Sequence, residues 1–259
     1  MGRVVVVAGL ATAAVAGASY YFFVYRQKPS QRIMRLIQAS TRLYRDEEHK
    51  KALETAVEAR DLARNCCPRS PEELGALLHL AGVLNGMKRF DEALTTLDEL
   101  IALTEDMSNP SSMMLLPALH AKAEALEAAN HPLAQAAEQL ARARAIRREA
   151  CGENSAESAR ASYNLADCLL RGRHEDITAV ARAKLIEQGS LLAMEAVTIS
   201  RVLGDNDSAA EFASNALEEL IEDVDESEAA AAAAQRLRDA FLEATGEEWE
   251  SSPCDTAEE

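Results

Sequence analysis

The stretch from Leu77 to Leu100, LLHLAGVLNGMKRFDEALTTLDEL, constrains the fold more than any other part of this chain. Leu77, Leu80, Ala81 and Leu84 recur at spacings of three and four, and so do Ala93, Leu97 and Leu100. Each set therefore falls on one face of a helix. Between them lies the turn Asn85-Gly86-Met87-Lys88-Arg89-Phe90-Asp91, with Gly86 placed to end the first helix at a positive φ. Ala93 keeps the crossing point of the two helices narrow. Such a hairpin leaves an apolar face that only a neighbouring hairpin can cover, so copies are expected. Ala52 of HKKAL and Ala136 stand where Ala93 stands, at intervals of 41 and 43 residues. Tyr163 to Leu170 reads as a fourth first-helix, its partner displaced toward Leu191–Leu203 by an insertion around Arg171 to Gly189. A helix-turn-helix period near forty predicts an all-α fold, an α-solenoid of about four helical hairpins. With 48% hydrophobic but only 4% aromatic residues, Ala and Leu must build the interior, which disfavours a sheet.

The amino-terminal end reads differently. Val4 to Tyr25 is a run of 22 residues without a charge, enough for roughly 33 Å of helix. Tyr20, Tyr21, Phe22, Phe23 and Tyr25 gather at its end like an interfacial belt, and Arg26, Lys28, Arg32 and Arg35 follow. The run predicts a retained transmembrane helix in 1–29, with its span at about 4–25, in preference to a signal cleaved near Ala16-Gly17-Ala18. Gly9, Ala13 and Gly17 would line one stripe along which a second helix packs. The basic trailing flank and the layout of the anchor lead to the expectation of a single-pass protein. A mitochondrial setting is expected, in the outer membrane facing the cytosol or the inner membrane facing the matrix.

The remaining boundaries follow from charge and periodicity. The repeat region runs over 30–205. From Asp205 onward there are 18 acidic and two basic residues, a net charge of −16 that equals that of the whole chain. Phe212, Ala216, Leu217, Leu220 and Ile221 still keep helical spacing, so 206–245 is expected to form acidic capping helices. Residues 246–259 read as a disordered acidic tail, with Trp249 a candidate for a short contact. No basic surface suited to nucleic acid is present.

Nor does the sequence offer chemistry. Cys66, Cys67, Cys151, Cys168 and Cys254 have no paired metal-ligand spacing, and the five histidines are scattered. Phosphate-binding glycine motifs are missing. The expectation is a protein that is not an enzyme and carries no cofactor and no metal.

The runs MKRFDEAL (87–94), ARAIRREACGENSAES (143–158), NLADCLL (164–170) and AVTISRVLGDNDSAA (196–210) resemble tetratricopeptide (TPR) repeats, and more narrowly those of kinesin light chains. The resemblance covers about residues 33–205, and it departs from the family in lacking large aromatics at the start of the first helices. It implies that the first helices line a groove for an extended peptide or a helix of another protein. Gln38, His79, Lys122 and Asn164 fall at comparable first-helix places, with Tyr163 beside the last. Too few basic residues accompany Lys122 and Asn164 for a chaperone-type carboxylate clamp. The function expected is a membrane-anchored scaffold that recruits a partner protein. The alternative is an accessory subunit or assembly factor of an inner-membrane respiratory complex.

Overall fold

A computed structural model of the chain describes residues 29–107, 115–172, 177–220 and 227–250. These form ten α-helices in five consecutive pairs. Pairs one and two are α1 (Pro29–Arg45) with α2 (His49–Cys66), and α3 (Pro71–Gly86) with α4 (Phe90–Glu105). Pairs three to five are α5 (Leu116–Ala128) with α6 (Leu133–Cys151), α7 (Ala156–Arg171) with α8 (Ala179–Val202), and α9 (Asn206–Leu220) with α10 (Glu228–Thr245). The chain divides into two compact units, residues 1–107 and 108–259. In the first, α1 packs on α2 and α3, and α3 on α2 and α4. In the second, each helix packs on the next, and α7 and α8 also reach α9 and α10. Neighbour-on-neighbour packing of this kind is what stacked hairpins produce.

One turn recurs within the pairs. At the end of α1, α3 and α5 a single residue takes a left-handed conformation: Glu47 (φ 62°), Lys88 (φ 59°) and Asn130 (φ 56°). The next N–H then reaches back to close the helix: Glu48 to Leu43 O, Arg89 to Leu84 O and His131 to Leu126 O, each at 2.9 Å. This is the six-to-one bond of a Schellman ending. Gly86 was expected to supply the positive φ, but the structure gives that task to Lys88. Gly86 is instead the last residue of α3, where a Cβ would lie 2.8 Å from Cζ of Tyr44. Its missing side chain admits the tyrosine ring of α1.

The crossing points are held by methyl groups. Ala52, Ala93 and Ala136, the fourth residues of α2, α4 and α6, are all 0% exposed. The fourth pair departs from this pattern. The residues read as an insertion are largely helix: α8 runs for 24 residues, against 16 in α4. Its crossing point is Gly189, where a Cβ would lie 2.7 Å from Cγ of Leu170 and 3.2 Å from the Ala166 carbonyl oxygen. N-caps mark the helix starts. Ser70, Ser155, Thr178 and Ser227 each accept a backbone N–H of the first turn of α3, α7, α8 and α10.

The transmembrane part of the expected fold class is corrected. Among the described residues no helix is long and apolar enough to cross a membrane. Even α8 carries Arg182, Lys184, Glu187, Glu195 and Arg201 along its length. The expected span 4–25, with Gly9, Ala13 and Gly17, lies outside the described residues. The architecture is thus an all-helical repeat, and it gives no support to a single-pass location in a mitochondrial or any other membrane.

Candidate functional site

The expected groove residues fall in both units. In the first, Gln38 is exposed on α1 and His79 is half-buried on α3. Burial holds the His79 imidazole below its usual range, and its Nε2 has no hydrogen-bond partner among the described residues. In the second unit, Lys122 is half-buried on α5, and Tyr163 and Asn164 are half-buried on α7. Tyr163 is engaged with α9: its ring stacks on Phe212 at 4.6 Å and its hydroxyl accepts a 3.0 Å hydrogen bond from Asn215 Nδ2.

Asn164 opens on a cleft of about 330 Å³, lined by His120 of α5, Arg147 of α6, and Ala156, Glu157, Arg160 and Ala161 of α7. Residues 157, 160, 161 and 164 share one helical face, which turns them toward the end of the preceding pair. Neither Arg147 nor Arg160 has a carboxylate within ion-pair distance among the described residues. Arg160 lies with its guanidinium 5.8 Å from the centroid of Phe212, an aromatic face that steadies a cation without neutralising it. Burial and then the Arg147 charge hold His120 below the usual imidazole range. The cleft therefore presents two guanidiniums that form no ion pair among the described residues, an imidazole and an amide, with Glu157 as its acidic lining residue and the Arg160 charge also felt by Asp205. Such a set receives carboxylates.

Below this surface the charges are matched. Arg144 donates to Ser162 Oγ at 2.8 Å and to the two carboxylate oxygens of Glu195 at 2.9 and 2.7 Å, which ties α6 to α7 and α8. Arg171 likewise donates to Glu127 at 2.9 Å and to Asp167 at 2.7 Å. A second cleft, of about 310 Å³ in the first unit, has a floor of Leu53, Val57, Leu80 and Leu84. Its rim is self-compensating, since Arg89 donates to Glu92 at 2.7 Å and Arg60 to Asp61 at 2.8 Å. The α5–α7 cleft is the better candidate because neither of its guanidiniums is held in an ion pair among the described residues. Sequence reasoning found Asn164 but missed Arg147 and Arg160. The four-residue spacing from Arg160 to Asn164 was a signal for one of them; nothing in one sequence brings Arg147 beside it.

No family model matches the chain, and no curated protein matches it in sequence. Solved structures do match. A Podosopora anserina structure of nearly identical kinesin light chain TPR-like repeats superposes with a TM-score of 0.63 at 16% identity, covering 85% of this chain and 100% of that one. BtubC (BKLC) from P. vanneervenii gives 0.63 at 14% identity, over 97% of this chain and 94% of its own. The fold is a TPR-like helical repeat. At such identities the likeness establishes the fold alone. In TPR-like terms α1, α3, α5, α7 and α9 are the first helices of five repeats, and the cleft sits on the first helices of repeats three and four.

Proposed function

We propose that this TPR-like protein is a binding scaffold, without a reaction of its own, that holds an extended acidic segment of a partner protein along the first helices of its second unit. The observation that supports the reading is the cleft of His120, Arg147, Arg160 and Asn164, whose two guanidiniums form no ion pair among the described residues. Side-chain carboxylates of the segment meet Arg147 and Arg160, and Asn164 offers both donor and acceptor to its backbone. Because Arg160 is exposed and Arg147 half-buried, their attraction to a ligand is partly screened, and it steers and selects more than it tightens. The mitochondrial and respiratory-complex readings both leaned on the membrane helix and form no part of the proposal.

The test is an array of decapeptides probed with the full chain. Captured spots should be enriched in Asp and Glu, and both Asn164→Asp and the Arg147→Glu/Arg160→Glu pair should abolish capture. An array without acidic preference, or one unchanged by these substitutions, refutes the reading.

A further inference from the structure

Among the described residues six large apolar side chains are exposed, and three of them stand on α8: Val180 at 82%, Leu191 at 54% and Val202 at 75%. Each is eleven residues from the next. Eleven residues make close to three whole turns, so the three lie in one line on the face that α8 turns to solvent. Lys184, Glu187, Gln188 and Thr198 are exposed on the same face. A single exposed hydrophobe needs no explanation, but a line of them along a 24-residue helix does.

Leu191 is the midpoint of the line, and that makes the face complementary to itself. When two copies of α8 lie antiparallel about a two-fold axis through Leu191, each residue meets the one equally far beyond position 191. Leu191 then meets Leu191, and Val180 of each copy meets Val202 of the other. Lys184 comes over Thr198, and Gln188 over Met194. Glu187 comes over Glu195, whose charge is already met by Arg144 at 2.7 Å and Arg148 at 3.5 Å. A parallel pairing would instead set Lys184 on Lys184 and Glu187 on Glu187, like charge on like.

The surface beside the line fits the same arrangement. A cleft of about 510 Å³, lined by Thr198, Arg201, Val202, Asn206 and Glu243, opens next to its C-terminal end. The first turns of the second copy's α8 arrive there and bring Val180 and Lys184 with them. The valine is covered by Val202, and the ammonium comes to the mouth of a cleft whose acidic lining residue is Glu243, itself paired with Arg201. The helix is about 36 Å long, so the contact lies at the small end of specific interfaces, where dissociation constants are on the order of micromolar.

We propose that the exposed face of α8 is a homodimer interface, whose partner is a second copy of this chain laid antiparallel about Leu191. The proposal is independent of the acidic-segment reading. None of the residues named for the basic cleft is on α8, so the dimer keeps that cleft on each copy and presents two of them to a partner with two acidic segments.

Sedimentation equilibrium of the full chain, at concentrations from about 1 to 200 μM to span the expected range, should show monomer passing to dimer. Leu191→Arg sets two guanidiniums face to face on the axis and should weaken the dimer about tenfold or more. Val180→Glu and Val202→Lys should each weaken it, while the double variant Val180→Glu/Val202→Lys should restore it, since each glutamate then meets a lysine of the other copy. The substituted side chains are largely solvated, and circular dichroism should show all four variants folded as the wild type is. A chain that stays monomeric throughout the range, or a dimer indifferent to Leu191→Arg, overturns the proposal. A double variant no better than its parents overturns the antiparallel pairing, because only that pairing brings residue 180 to residue 202.

Discussion

Gly189→Ala provides the sharpest test of how the fourth pair is held together. Taken alone, alanine in place of glycine within a helix stabilises by about 1 kcal/mol. At this position the new Cβ would lie 2.7 and 2.8 Å from Cγ and Cδ2 of Leu170 and 3.2 Å from the Ala166 carbonyl oxygen. Leu170 is 0% exposed and cannot swing into solvent, and the carbonyl belongs to the backbone of α7. Overpacking of this kind costs about 1–3 kcal/mol. The helix gain offsets about 1 kcal/mol of it, leaving a net effect between roughly zero and a loss of about 2 kcal/mol, or up to a few degrees in Tm for a unit of this size, where an unstrained glycine-to-alanine change would be a clear gain. Gly82→Ala is the matched control, because a Cβ there meets nothing within 4 Å, so it should stabilise by about 1 kcal/mol. Thermal melts followed by circular dichroism, with urea midpoints beside them, read both variants. If Gly189→Ala stabilises as much as Gly82→Ala, the close approach of α8 to α7 is not what selects glycine, and the reasoning fails.

Arg144→Met should destabilise by about 1–2 kcal/mol, since it removes the bidentate partner of the partly buried Glu195 carboxylate and leaves it only Ser162 Oγ at 3.1 Å and Arg148 at 3.5 Å, and Glu195→Gln should partly rescue it in a double-mutant cycle read by urea unfolding. His79 and His120 both have folded pKa values below their usual range, so the unfolded chain takes up protons first. Stability should then be intact above about pH 6.5 and fall as pH drops below it, and His120→Gln should reduce the difference between urea midpoints at pH 7.5 and 5.5. Cys168 is buried, and burial, then the charge of Glu127, pushes its thiol up to about 12. It should resist thiol reagents that modify the exposed Cys66 and Cys151 at neutral pH, and should react only after unfolding.

The hairpins were legible because Ala52, Ala93 and Ala136 repeat at a nearly fixed interval, and such an interval survives in one sequence. The turn was legible in place but not in detail, because Lys88 takes a conformation that sequence reasoning assigns to a neighbouring glycine. The added turns of α8 were read as an insertion because 177–188 contains good helix formers but no repeat landmark. Gly189 then hides the crossing point by being smaller than the alanine expected there. Of the site, the first-helix row was legible through Asn164. Arg147 was not, because its approach to Arg160 depends on how one pair stacks on the next.

The alanine crossings have a bearing on how such chains diverge. Helices that meet over methyl groups approach more closely than helices separated by leucines. A single step up in size at residue 52, 93 or 136 would widen one pair and offset its first-helix side chains against the adjacent ones. Among descendants of this sequence, drift should therefore be rare at these silent interior sites and free on the outward side chains. Partner choice could then be rewritten without altering the ruler against which it is measured.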